Sequence, residues 1–318
     1  MYTLLMSTLL ATSSSNMLFV WLMMELNTLS FIPIIMVTHD ITETETSIKY
    51  LIPQTLGSNL FLVSSFLIYT QIQSSPLASI ALLLKAGSAP IHMWFPPVMH
   101  SINLMAGFIM LTWQKVMPLS LLTNHELAYP PIIIASAMMS ALWGSIAGLN
   151  QTNLMTLMSF SSINHLGWLL MGSTINLTMT MNYLSAYTLT LTPIYLFMQT
   201  HMTKTHSKFM TSLTINNHYQ LILMLTLLSM AGMPPMAMFV VKLPIMIAIM
   251  TKSLTTTLMP LILSTSISLY FYLSLTLTLT TTPKIYNQQI LTETPSLKVM
   301  YTLLIMPQLM WMPIMATH

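Results

Sequence analysis

Runs of about twenty apolar residues recur along the whole of this chain, and charge seldom interrupts them. A run of that length, coiled as a helix, spans the ~30 Å hydrocarbon layer of a bilayer. Of the 318 residues, 54% are apolar and only 5% are charged, and the mean hydropathy is +0.73. A soluble domain could not cover its surface with so few charges. The chain is therefore read as an all-α polytopic membrane protein, one transmembrane domain over residues 1–318.

Dividing the sequence at its polar and proline-marked gaps predicts about eleven transmembrane helices. They lie near 1–13, 17–38, 48–70, 77–95, 102–122, 131–149, 153–172, 176–199, 219–249, 256–280 and 298–315, the first being short for a crossing. Connections carrying Lys49, Lys204, Lys208, Lys284 and Lys298 fall on the side of the N-terminus, whereas the opposite side holds only Lys252. The positive-inside rule puts the N-terminus on the inner face and, after eleven crossings, the C-terminus outside.

Two of these segments are interrupted. Segment four carries Lys85 followed by Gly87 to Pro90, and segment nine carries Pro234 and Pro235 ahead of Lys242. Proline removes a backbone donor, and a lysine at mid-depth costs about 2.5–3.5 kcal/mol on insertion scales, so each segment is expected to face a polar interior. Their spacing of five segments predicts two inverted five-helix repeats, about 1–122 and about 131–280, plus an extra helix near 298–315.

Depth selects the charges that can cooperate. Glu25 and Lys85 each lie about eight residues into their segments, ~12 Å from the same face at 1.5 Å per residue. Lys115 and His165 also fall inside the hydrocarbon zone, giving a central row of Glu25, Lys85, Lys115, His165 and Lys242. The Glu25 to Lys85 separation would control whether Lys85 holds its proton. Moving one charge against 100 mV costs about 2.3 kcal/mol, while a tenfold change in proton affinity is worth ~1.4 kcal/mol, so small changes in pairing could load and unload a proton. Against this stand plainer roles: a static Glu25–Lys85 ion pair, a Lys115 that snorkels to the interface, and a His165 that is a hydrogen-bonded interior residue. Ser159, Ser161, Ser162 and Asn164 are expected to join helices or hold water.

Other classes find no footing. All nine basic side chains are lysines, thinly spread, which leaves no nucleic-acid footprint. With no cysteine there is no disulfide, iron–sulfur or zinc-thiolate chemistry, and with eight glycines no phosphate-cradling motif. No metal site and no cofactor of the chain's own is expected. His201, Lys204, His206, Lys208 and His218 are read as a solvated, topology-setting loop rather than a metal site. Asp40, Glu43, Glu45 and Lys49 look like a surface turn opening a helix, with Thr44 or Thr46 as its cap. No cleavable leader or transit peptide is legible.

The motifs Thr44-Glu-Thr-Ser-Ile-Lys-Tyr50, Lys85-Ala-Gly-Ser-Ala-Pro-Ile-His-Met-Trp94, Leu111-Thr-Trp-Gln-Lys115, Gly148-Leu-Asn-Gln-Thr152, Ser161-Ser-Ile-Asn-His-Leu-Gly-Trp168, Gly232-Met-Pro-Pro235 with Lys242, and Leu269-Tyr-Phe-Tyr272 occur in order over nearly the whole chain. Together they resemble the antiporter-like membrane-arm subunits of animal mitochondrial respiratory complex I, the NADH:ubiquinone oxidoreductase. The resemblance implies a shortened form lacking three leading helices, placed in the inner membrane with its N-terminus in the matrix and its C-terminus in the intermembrane space. The partners it implies are other complex I subunits, especially neighbouring antiporter-like ones, and membrane lipids. It implies proton translocation coupled to electron transfer elsewhere, with NADH, FMN, iron–sulfur clusters and ubiquinone held by other subunits. It also implies that Glu25 pairs with Lys85, that Lys115 relays, and that Lys242 leads toward the exit or the next subunit. The chain departs from the family at Pro97, where an acidic residue is common, and at Leu154, Met155 and Thr156, where a basic pair is common. Two other functions remain on the table: a self-standing cation/proton antiporter, against which the shortage of intramembrane carboxylates counts, and an inert spacer.

Overall fold

The computed structural model describes residues 1–37, 41–70, 74–201, 217–234 and 236–281, and every regular element among them is helical. Thirteen α-helices follow in order: α1 (Tyr2–Ser13), α2 (Met17–Ile35), α3 (Ile41–Tyr69), α4 (Ser75–Ala86), α5 (Phe95–Ser101), α6 (Leu104–Leu111), α7 (Val116–Leu122), α8 (Pro130–Gly148), α9 (Leu154–Ser173), α10 (Leu177–His201), α11 (Asn217–Ala231), α12 (Ala237–Thr251) and α13 (Thr255–Thr281). Among the described residues, five helical stretches are long and apolar enough to cross a membrane: Met17–Ile35, Ile41–Tyr69, Leu104–Leu122, Pro130–Gly148 and Thr255–Thr278. The last predicted segment, 298–315, lies outside the described residues, as do Asp40, Lys204, His206, Lys208, Pro235, Lys284 and Lys298.

Local chemistry explains where helices start and stop. Asn16 accepts from the Leu18 amide and Asn153 from the Met155 amide, capping α2 and α9. Segment four breaks as the sequence predicts. Gly87 has φ 74°, in the left-handed region, and its N–H reaches the carbonyls of Leu83 and Leu84 to close α4. The chain then crosses Ser88 to Trp94 without helix before α5 begins. Segment nine breaks likewise between α11 and α12, where Gly232 has φ 82°.

The break between α6 and α7 was not predicted. Residues Trp113–Lys115 form a 3-10 turn there. Pro118, four residues after Gln114, has no N–H to offer that residue's carbonyl, and its ring crowds it; the helix yields by tightening.

α9 is the axis of the bundle. Every residue in it except Thr156 and Phe160 is buried, and α5, α7, α8, α10, α12 and α13 all pack on it. Its hydroxyls donate within the helix. Ser159, Ser161 and Ser162 donate to the carbonyls of Thr156, Met158 and Ser159 at 2.6, 2.9 and 2.7 Å, within α9 itself. Outward faces carry Leu22, Leu26, Leu29, Ile52, Phe66, Trp143 and Ile262, all exposed, as a lipid-facing surface requires.

At the far end of α9, Lys252 Nζ donates to the Thr174 carbonyl at 2.9 Å, where Thr174 caps the helix C-terminus. A cation there complements the helix dipole. Lys252→Ala should cost ~0.3–1 kcal/mol, read as a lower thermal transition of the detergent-solubilised protein, and the difference from the unmodified protein should shrink in high salt.

The helix-opening turn near Glu43 differs from expectation. Glu45 and Lys49 form an exposed ion pair at 2.6 Å, but Glu43 is 3% exposed and accepts from Asn103 Nδ2. Asn103 is the N-cap residue of α6, so Glu43 ties the start of α3 to the start of α6. Thr44 and Thr46 hydroxyls bond back to the carbonyls of Ile41 and Glu43 rather than capping.

Candidate proton-relay site

α3 and α4 come close because Gly57 has no side chain. A Cβ on it would sit 2.8 Å from Lys85 Cγ and 3.3 Å from the Ala81 carbonyl oxygen. One turn earlier, Gln54 Nε2 donates to the Lys85 carbonyl at 3.2 Å, satisfying an acceptor that the end of α4 leaves open. Lys85 is half-buried.

Glu25, also half-buried, accepts a hydrogen bond from Ser58 Oγ on α3. Its charge acts on Lys85, yet no carboxylate among the described residues lies within 4.0 Å of that lysine. The expected direct ion pair is therefore a separated pair, with Ser58 holding the carboxylate.

Lys115 is 2% exposed and points inward, which excludes snorkelling in this conformation. Its Nζ donates to the Ser162 carbonyl of α9 at 3.1 Å and lies 5.4 Å from the Tyr187 ring centre and 5.8 Å from that of Phe95. Cation–π contacts of this kind are worth about 0.5–2 kcal/mol. One turn along α9, His165, also 2% exposed, pairs Nδ1 with the Tyr183 hydroxyl at 2.8 Å. Its ring centre is 5.1 Å from that of Tyr187. The charges of both Lys115 and Lys242 act on His165.

Lys242, 3% exposed, lies with Nζ 5.5 Å from the Trp168 ring centre. A Cβ on Gly232 would stand 3.1 Å from that Nζ, so the second break leaves room for the amine. Neither Lys115 nor Lys242 has a carboxylate within 4.0 Å among the described residues. Among the described residues no ion pair fixes their protons.

The structure thus brings Lys115, His165 and Lys242 together along α9 and sets Glu25 with Lys85 beside α3. It also supplies Tyr183, Tyr187 and Tyr272, which sequence reasoning left unassigned. Tyr187 and Tyr272 approach Ser162 and Ser161, but neither hydroxyl reaches hydrogen-bond geometry. Asn164 Oδ1 and Trp168 Nε1 are likewise buried without a hydrogen-bond partner. Each such atom costs about 1–3 kcal/mol unless water reaches it, so the lining of the row suits water. The i, i+4 spacing of Tyr183 and Tyr187 on α10 was the available signal. Among the described residues no group of three His, Cys, Asp or Glu could hold a metal.

The family model described as NADH:quinone oxidoreductase/Mrp antiporter, TM, matches residues 14–81 and 72–268. NADH-ubiquinone oxidoreductase chain 2 of Lumbricus terrestris is 39% identical over 254 residues, 76% of this chain and 75% of its own. The protein of the same name from Mammuthus primigenius is 36% identical over 276 residues, 81% and 78% of the two chains. A chain in the structure of respiratory complex I from Thermus thermophilus, 21% identical, has the same fold, with a TM-score of 0.83 over 96% of this chain and 75% of that one. This chain belongs to the NADH:quinone oxidoreductase/Mrp antiporter family, among the NADH-ubiquinone oxidoreductase chain 2 proteins.

Proposed function

We propose that this chain is a core membrane-arm subunit of respiratory complex I, translocating protons across the mitochondrial inner membrane while other subunits oxidise NADH and reduce ubiquinone. The observation that carries this reading is the buried row along α9, where the Ser162 carbonyl holds Lys115, His165 follows one turn on and Trp168 lies against Lys242. In the proposed path Lys85 exchanges its proton as Glu25 shifts between Ser58 and the amine, and Lys115, His165 and Lys242 pass a proton on along α9. Waters among the tyrosines complete the connections.

Eleven crossings in two inverted five-helix repeats fit this reading, with α4–α5 and α11–α12 as the matching broken helices and the N-terminus in the matrix. On the same reading the chain holds no redox centre, NADH, FMN, iron–sulfur clusters and ubiquinone belonging to partner subunits.

The test is Glu25→Gln in the fully assembled complex, with NADH oxidation and protons ejected per NADH measured together. Glutamine keeps the shape and the bond to Ser58 but removes the charge that acts on Lys85. Protons per NADH should fall by roughly twofold or more, removal of a positioned proton-transfer group typically costing far more than that in rate. Unchanged rate and ratio would sink the relay. A self-standing antiporter would instead drive pH-dependent cation flux as an isolated chain in liposomes.

A further inference from the structure

Asn27 on α2 and Gln114 in the 3-10 turn stand 87 residues apart in sequence, yet Asn27 Nδ2 donates to Gln114 Oε1 at 2.9 Å. Asn27 is 4% exposed. Two carboxamides can exchange two hydrogen bonds, but here one is made, leaving Asn27 Oδ1 and Gln114 Nε2 buried without a partner. One is an acceptor and the other a donor. A single water donating to Oδ1 and accepting from Nε2 satisfies both, and a buried water needs two to four such partners. Two orphans left dry would cost about 1–3 kcal/mol each.

The place of this pair gives it a task. Residues two apart on a helix point about 200° apart, so α2 presents Glu25 to Ser58 on one side and Asn27 to Gln114 on the other. Gln114 adjoins Lys115, and both belong to the 3-10 turn that interrupts the segment. Such turns within a helix often mark hinges.

We infer that Asn27 and Gln114 form an amide clamp that seats one water and positions the Lys115 turn against the helix carrying Glu25. Resting on the proton-relay reading above, the clamp passes a shift of α2, when Glu25 changes partner, to the turn that aims Lys115 at Ser162. Asn27 and Gln114 are positioning residues, and neither carries the proton.

The test uses the assembled respiratory complex. Asn27→Leu and Gln114→Met keep size while removing the amide, and each should lower protons ejected per NADH by roughly twofold, with NADH oxidation less affected. The exchanged pair Asn27→Gln with Gln114→Asn keeps two amides and should recover most of the ratio, which a purely steric role would not do. A map of the unmodified complex at water-resolving quality should show a water within hydrogen-bond distance of both Asn27 Oδ1 and Gln114 Nε2, whether or not the variants assemble. A dry site overturns the proposal. So does an unaltered ratio in both single variants, or an exchanged pair as impaired as they are. If these variants leave the ratio unaltered while Glu25→Gln lowers it, the clamp falls and the relay stands. If Glu25→Gln also changes nothing, the relay itself falls.

Discussion

Gly144→Val should prevent α8 and α9 from closing on each other, with little assembled complex accumulating. A Cβ at Gly144 would stand 2.6 Å from the Asn164 amide nitrogen and 2.7 Å from the Phe160 carbonyl oxygen. These are backbone atoms of the buried central helix and cannot swing aside. The contact is doubled from the other side: a Cβ at Gly167 would stand 2.7 Å from the Ala137 carbonyl oxygen and 2.9 Å from Ala141 Cβ. Between membrane helices, where no hydrophobic effect drives association, close backbone approach at small residues provides much of the attraction. Overpacking by a single group costs about 1–3 kcal/mol, which sets the expectation for Gly144→Ala; valine, with two further methyl groups, should exceed that. The comparison is the amount of assembled complex on native gels and its thermal transition. A valine variant that assembles at the normal level with an unchanged transition would show that α8 and α9 are not held at this distance.

The same packing decides the chemistry, because α9 supplies both the Ser162 carbonyl that holds Lys115 and His165 itself. How much of this was legible beforehand varies with the kind of signal. Breaks at Gly87 and Gly232 could be read directly, since glycine and proline act on their own backbone. Buried charges could be read because a lysine in an apolar run has few places to go. Glu43 was misread: an acidic residue near a loop usually faces water, and its partner Asn103 lies 60 positions away. The turn at Lys115 was missed although Pro118 signalled it. Tyr183 and Tyr187 were missed, and Tyr272 was noted only as part of a motif, because a tyrosine in an apolar run shows no role until its hydroxyl is seen among Ser161, Ser162 and His165. The separation of Glu25 from Lys85 beyond 4.0 Å is set by how their helices pack, which residue depth alone does not resolve.

Lys115→Met and Lys115→Arg should both reduce coupled turnover about tenfold, the equivalent of ~1.4 kcal/mol on the rate-limiting barrier. Methionine has similar reach and fills the space among Phe95, Tyr187 and Ser162, so the fold loses little; the Ser162 carbonyl remains within its helix. What disappears is the proton-binding amine held on the Ser162 carbonyl, one turn from His165. Arginine separates two explanations that methionine cannot. It keeps a positive charge against the Tyr187 and Phe95 rings and can still donate to the carbonyl, but it does not give up its proton in a protein. If Lys115 acts only as a fixed charge that biases His165, arginine should pump as the native protein does. If Lys115 must bind and release a proton, arginine should fail as methionine does, and protons ejected per NADH should fall with it. The measurement is proton ejection with NADH oxidation in sealed vesicles at matched complex content. Normal pumping by the arginine variant would remove Lys115 from the relay and leave His165 to exchange protons with Lys85 and Lys242 through water.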